Sequence, residues 1–149
     1  MEHHASVVWR RTSEDFTYAT YNRAHEMRLG DVTVPASAAP DFKGDPDRAN
    51  PEEAFVAALS SCHMLTFLAI VARKRLPIDA YIDHAVGYLE KNDAGRLAMT
   101  RVILRPKVAW SSDTKVSSSE LDKLHHEAHE GCFIAQSVKT EVKVEVQNA

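Results

Sequence analysis

An α+β fold, mainly antiparallel sheet around one long central helix with a second helix nearer the C-terminus, is what this sequence predicts, and three features predict it. The segment "NPEEAFVAALSSCHMLTFLAIVARKR" opens as a capped helix and then runs from Ala54 to Ala72 without a formal charge. Around it lie stretches in which apolar and polar residues alternate with the two-residue period of strands. Turn signals such as Gly30-Asp31 and Asn92-Asp93-Ala94-Gly95 separate those stretches. With 149 residues, 44% hydrophobic and 26% charged, the chain has the size and composition of a single domain, residues 1–149.

The first fifty residues read as short strands: Val7-Trp9, Phe16 to Tyr21, then Glu26-Leu29 and Val32-Val34 about the Gly30-Asp31 turn. From Pro35 to Ala49 the Pro, Ala, Asp and Gly content describes a loop. Asn50 then serves as N-cap, Pro51 as first helical residue and Glu53 as the reciprocal partner of the cap. The helix is expected to reach Arg73-Lys74-Arg75, whose positive charges suit a helix C-terminus, and to stop before Pro77. Ile78 to Leu89 and Leu97 to Val108 read as two strands of a hairpin. "SSSELDKLHHEAHEG" reads as the second helix, capped by Ser118 or Ser119 and stopped at Gly131. "CFIAQSVK" is expected to make a short helical turn starting at Cys132, and Val142, Val144 and Val146 alternate with Lys143 and Glu145 in a closing strand.

Composition also narrows the function. A net charge of -3, with no basic cluster longer than Arg73-Lys74-Arg75, gives no electrostatic case for nucleic acid. The uncharged run nearly meets the length of a membrane span. Ser60, Ser61, His63 and Thr66 inside it, and strand patterns that would otherwise lack a core to cover, favour the buried central helix of a soluble fold and no membrane partner. The N-terminal "MEHHASVVWRR" lacks the apolar core of a secretory signal, so a cytoplasmic location is expected. There, two cysteines 70 residues apart are expected to be reduced, catalytic or inert rather than permanently bridged.

Each residue able to carry chemistry has an inert reading beside the reactive one. Cys62 lies about three turns into its helix, beyond the reach of the N-terminal dipole, and burial alone would leave it an unreactive packing residue. If it is a nucleophile, another part of the chain must bring a cation to it. Cys132 follows the helix-ending Gly131, so its sulfur can face the free N–H groups of a new helical turn, a setting that favours the thiolate. His63 reads as a core histidine or as a base beside Cys62. His125, His129 and Cys132 fall at i, i+4 and i+7, which makes metal binding through His125 and His129 one alternative function. A second alternative is a non-catalytic dimeric binding protein for a small apolar ligand, with Cys62 merely lining the pocket.

Two segments carry a specific resemblance. "NPEEAFVAALSSC" is similar to the segment of the OsmC/Ohr family that leads, ten residues after its first Glu, to a reactive cysteine. "HHEAHEGCFIAQSVKTEVKVE" resembles the family's second-cysteine segment, and the order of elements corresponds from Val7 to Val146. The resemblance implies an intertwined homodimer, with active sites between the subunits, that reduces organic hydroperoxides without a cofactor. Cys62 would be the peroxidatic cysteine, Cys132 the resolving one and Glu52 the acidic residue that fixes an arginine beside the thiolate. Arg23 in "TYNRAHE" is assigned as that arginine, with Arg48 as the alternative. Phe55, Leu59, Met64, Leu65 and Phe67 would line a substrate pocket whose apolar walls favour an alkyl hydroperoxide over hydrogen peroxide. The reductant implied is a dithiol, with a lipoylated protein the leading candidate.

The helix length adds a constraint. At 1.5 Å per residue, Glu52 and Cys62 stand about 15 Å apart along a continuous helix, so they cannot share one site within a chain. Antiparallel copies of this helix, crossing near Ala57 in a two-fold dimer, would bring one chain's Glu52 near the other's Cys62. Ala54, Ala57, Ala58, Ser60 and Ser61 are small enough for such an approach.

Overall fold

The computed structural model describes residues 1–148, and the described chain falls into two compact units that divide between Ala54 and Phe55. In the first unit, β1 (Ala5–Val8), β2 (His25–Leu29) and β3 (Val32–Ala36) form an antiparallel sheet in that order. The connection from β1 to β2 is long and tied down by Asn22. Its Oδ1 accepts from the Thr12 N–H at 2.8 Å, its Nδ2 donates to the Arg10 carbonyl at 2.8 Å, and its own carbonyl accepts from Trp9 Nε1 at 2.7 Å. The expected strand from Phe16 to Tyr21 is absent. The Thr17 carbonyl accepts from the Thr20 and Tyr21 N–H groups, closing a turn, and Trp9, Phe16 and Tyr21 gather their rings on one side instead of alternating.

Helix α1 (Pro51–Arg73) begins as its sequence dictates. Asn50 Oδ1 accepts from the Glu53 N–H at 2.9 Å and Glu53 Oε2 accepts from the Asn50 N–H at 3.1 Å, the two halves of a capping box. It ends where Arg75 takes a positive φ of 57° and the Leu76 N–H reaches back to the Val71 carbonyl.

The second unit is organised by the stripe that α1 buries there, Leu59, His63, Phe67, Ile70 and Val71. Leu59 packs with Val102 and Leu104; Phe67, Ile70 and Val71 pack with Val108, Leu124 and Ala128. Each large apolar side chain so enclosed contributes about 1.5–3 kcal/mol. Two sheets supply the partners. One pairs β4 (Ile78–Asp83) with β7 (Pro106–Trp110), and the other is ordered β5-β6-β8, from Val86–Lys91, Leu97–Leu104 and Glu141–Val144. All pairings are antiparallel except β6 with β8.

The stretches Ile78 to Leu89 and Leu97 to Val108, each expected to be a single strand, break in the middle and change sheet. The corner is held by Asp83, whose carboxylate accepts the Arg105 N–H at 2.6 Å and the Ser60 hydroxyl. Pro106, which has no N–H to give, begins β7 there. Helix α2 (Ser118–Gly131) is capped by Ser117, one residue earlier than expected, with its Oγ accepting from the Glu120 N–H at 3.1 Å. Its end is fitted closely to α1: a Cβ on Gly131 would lie 3.0 Å from Thr66 Cγ2.

Candidate active site

Cys62 sits about three turns into α1, half-buried, and its carbonyl accepts from Thr66 Oγ1 at 2.9 Å. Cys132 caps the C-terminus of α2 in an extended conformation and is 1% exposed. Its N–H donates to the His129 carbonyl at 3.2 Å, while its own carbonyl accepts from the Gln136 N–H at 3.0 Å, so it ends one helix and opens the next turn. As the sequence reading expected, the sulfur faces that turn, accepting from the Ala135 N–H at 3.5 Å.

The two cysteines, distant in sequence, are both free thiols, and the Cys62 thiol is near enough to act on that of Cys132. The Cys132 thiol is pushed up to about 11, first by burial and then by the neighbouring Cys62 thiol. The N–H groups of Ala135 and Ile134 pull the other way and are outweighed. Cys132 is therefore a protonated, enclosed thiol beside a more accessible one.

The histidines expected to matter lie on the inward side of the two helices. His63 is 1% exposed and its Nε2 meets His125 Nδ1 at 3.0 Å, so it is a core histidine. Each of the pair is pushed down to about 4, mainly by burial. For His63, the nearby His129 adds to that and Asp83 opposes it. His125, proposed as a ligand in the metal-binding alternative, thus spends one ring nitrogen on His63, and Cys132 has left the helical face it would have to share with His125 and His129. Among the described residues no three His, Cys, Asp or Glu side chains are placed to hold a metal ion. Sequence reasoning missed this pair, although two histidines at apolar positions of two helices are a signal of mutual burial.

Of the expected pocket residues, Leu59 and Phe67 have no exposed surface and belong to the two cores. They back the helix rather than line a pocket, because the stripe they share with His63 faces the sheets. Phe55 borders a surface hollow with Glu90 and Thr140, Met64 is half-buried and Leu65 is 60% exposed.

Arg23 belongs to the first unit. Its guanidinium donates to the Tyr21 carbonyl at 2.7 Å and the Tyr18 carbonyl at 2.6 Å and stacks 3.9 Å from the centre of the Tyr21 ring. It lines a cavity of about 490 Å³ with Val7, Trp9, Phe16 and Tyr21. The expected Glu52 pairing is not made within the chain; backbone carbonyls hold Arg23 instead, and Glu52 stands in the first turn of α1 without an ion pair among the described residues. Arg48, the alternative arginine, faces Asp45 at 3.6 Å.

A central helix on antiparallel sheet, carrying one cysteine and receiving a second from the end of the next helix, defines the class as an OsmC-like α+β fold. The family model described as OsmC-like protein matches residues 44–147, and the chain belongs to that family. An OsmC-like protein of unknown function from Vibrio cholerae is 47% identical, with a TM-score of 0.94 over 99% of both chains. The organic hydroperoxide resistance protein of Elizabethkingia anophelis has a TM-score of 0.77 at 18% identity, over 100% of this chain and 97% of its own. The organic hydroperoxide resistance protein OhrB of Bacillus subtilis has 0.69 at 17%, over 100% and 98%. Likeness at such identity concerns the fold. No curated protein matches the sequence.

Proposed function

We propose that the protein is a thiol peroxidase for organic hydroperoxides, with Cys62 as the peroxidatic cysteine and Cys132 as the resolving one. Membership of the OsmC-like family supports a peroxidase-like role. The finer reading is supported by the only two cysteines of the sequence lying close enough for the Cys62 thiol to help push the Cys132 thiol up. The Cys62 thiolate attacks the terminal peroxide oxygen, the O–O bond breaks, the alkoxide leaves and takes up the proton released when the Cys62 thiol ionised, and the sulfur is left as a sulfenic acid. The Cys132 thiol then displaces water to form the disulfide, before a second peroxide can carry Cys62 to the sulfinic state. A dithiol, here assigned to a lipoylated protein, restores both thiols by exchange.

In this reading the enzyme is a cytoplasmic homodimer of a single-domain chain. Arg23 steadies the thiolate and Glu52 steadies Arg23, with the site completed across the dimer because the helix separates Glu52 from Cys62. Phe55, Met64 and Leu65 take the apolar part of the substrate, in front of Leu59 and Phe67.

Consumption of cumene hydroperoxide with a dithiol reductant tests the proposal. Turnover should vanish in Cys62→Ser, whereas Cys132→Ser should accumulate the sulfenic acid. Inertness of both thiols in the wild type would reject it and leave the ligand-binding dimer as the better account of the fold.

A further inference from the structure

The mechanism leaves unused the most deeply enclosed polar contact of the second unit. His63 and His125 are 1% and 2% exposed, joined edge to edge from Nε2 to Nδ1 at 3.0 Å with ring planes 7° apart, and Phe67 lies on one face of His125, 4.4 Å between ring centres. Among the described residues, His63 Nδ1 and His125 Nε2 have no hydrogen-bond partner. Two aliphatic side chains would fill this space without leaving two ring nitrogens unsatisfied, so the pair is a poor choice for stability alone. A hydrogen bond, however, is directional where apolar packing is not, and only one rotation and height of α2 on α1 lets these two nitrogens meet.

The location gives that restriction a consequence. His63 immediately follows Cys62, so fixing its ring fixes the rotation of α1 at the thiol. His125 lies on the helix whose end carries Cys132, and that end approaches α1 at Thr66, where a Cβ on Gly131 would be 3.0 Å from Thr66 Cγ2. Cys132, which follows Gly131 directly, is near enough to α1 for the Cys62 thiol to act on its thiol. We propose that the His63–His125 hydrogen bond is a positioning contact that sets the register of α2 on α1 and thereby holds Cys132 within reach of Cys62. The inference deepens the dithiol reading given above. His63 and His125 act on the chemistry only through the placement of the two sulfurs.

The readout is the reduction potential of the Cys62–Cys132 disulfide, measured by equilibrating the intact protein with dithiothreitol buffers, which requires no peroxidase activity. His63→Gln keeps an amide near the place of Nε2, His63→Asn is too short to reach His125, and His63→Leu removes the polar contact. The effective concentration of one thiol for the other should fall at least tenfold in the Asn and Leu variants, a rise of about 30 mV in potential. The Gln variant should stay within threefold of the wild type. Folded Asn and Leu variants with the wild-type potential would overturn the proposal, since packing alone would then place the thiols. Should His63→Leu fail to fold, the comparison of Asn with Gln decides alone: equal potentials reject the positioning role and a tenfold gap supports it. A wild type inert toward hydroperoxides whose potential still moves with His63→Asn would sink the peroxidase reading and leave this one standing.

Discussion

Burial decides the charge state of the site's neighbours residue by residue. His63 and His125 are pushed down to about 4 from an ordinary value of 6.5 because neither ring can be solvated when charged. The unfolded chain therefore binds protons that the folded chain refuses, and stability falls as pH drops from the unfolded value of 6.5 toward about 4. The loss is on the order of 3 kcal/mol per histidine at the acid end. Urea unfolding at pH 7.5, 5.5 and 4.5 should show a falling midpoint, flattened in a His63→Gln, His125→Leu double variant; a pH-independent wild-type midpoint would contradict this. For Cys132 the same burial has a chemical use. A thiol held well above its ordinary range remains protonated, which in the proposed reaction leaves the first attack on peroxide to Cys62.

At the scale of elements, α1 is packed against sheet so closely that at Gly87 there is no room for a side chain. A Cβ on Gly87 of β5 would collide with Val56 of α1 and with Met99 of β6. Gly87→Ala should lower the unfolding free energy by about 1–3 kcal/mol, measured by denaturant titration, and an unchanged midpoint would show that the contact relaxes. How much of this could be read in advance differs by element. The Asn50–Glu53 capping box, the stop at Gly131 and the turn opened by Cys132 were legible because local chemistry writes each of them within four residues. The corner at Asp83 and Arg105 was not, because apolar alternation continues through it and the Ser60 hydroxyl that pins it comes from another element. Pro106 was the one local clue. The loop after β1 misled for a related reason: its aromatic residues suit a strand, but Asn22 gathers the backbone into turns. For the site, the two segments bearing Cys62 and Cys132 could be recognised, whereas the His63–His125 contact depends on a docking of two helices that no single segment encodes.

For the whole molecule, the open question is what covers α1. The helix is long and apolar enough to cross a membrane, and only 28% of its most apolar window is buried within the chain. Its uncovered side includes Ala57, Ala58, Ser61 and Leu65, small residues beside one large apolar one. A second copy of the same helix is the partner proposed above. Because Leu65 is 60% exposed, Leu65→Glu should leave the fold intact while driving the particle from dimer to monomer in light scattering. A wild type that is monomeric at micromolar concentration would remove the dimer and, with it, the route by which Glu52 and Arg23 reach Cys62.

The central claim, that Cys62 and Cys132 form one redox unit, is met most directly by intact-mass spectrometry of the reduced protein after a single equivalent of cumene hydroperoxide. The account predicts an intramolecular disulfide, seen as the loss of two hydrogens, in the wild type and a single added oxygen on Cys62 in Cys132→Ser. A wild-type mass unchanged by the peroxide, or oxygen added to Cys62 without the disulfide, would contradict it.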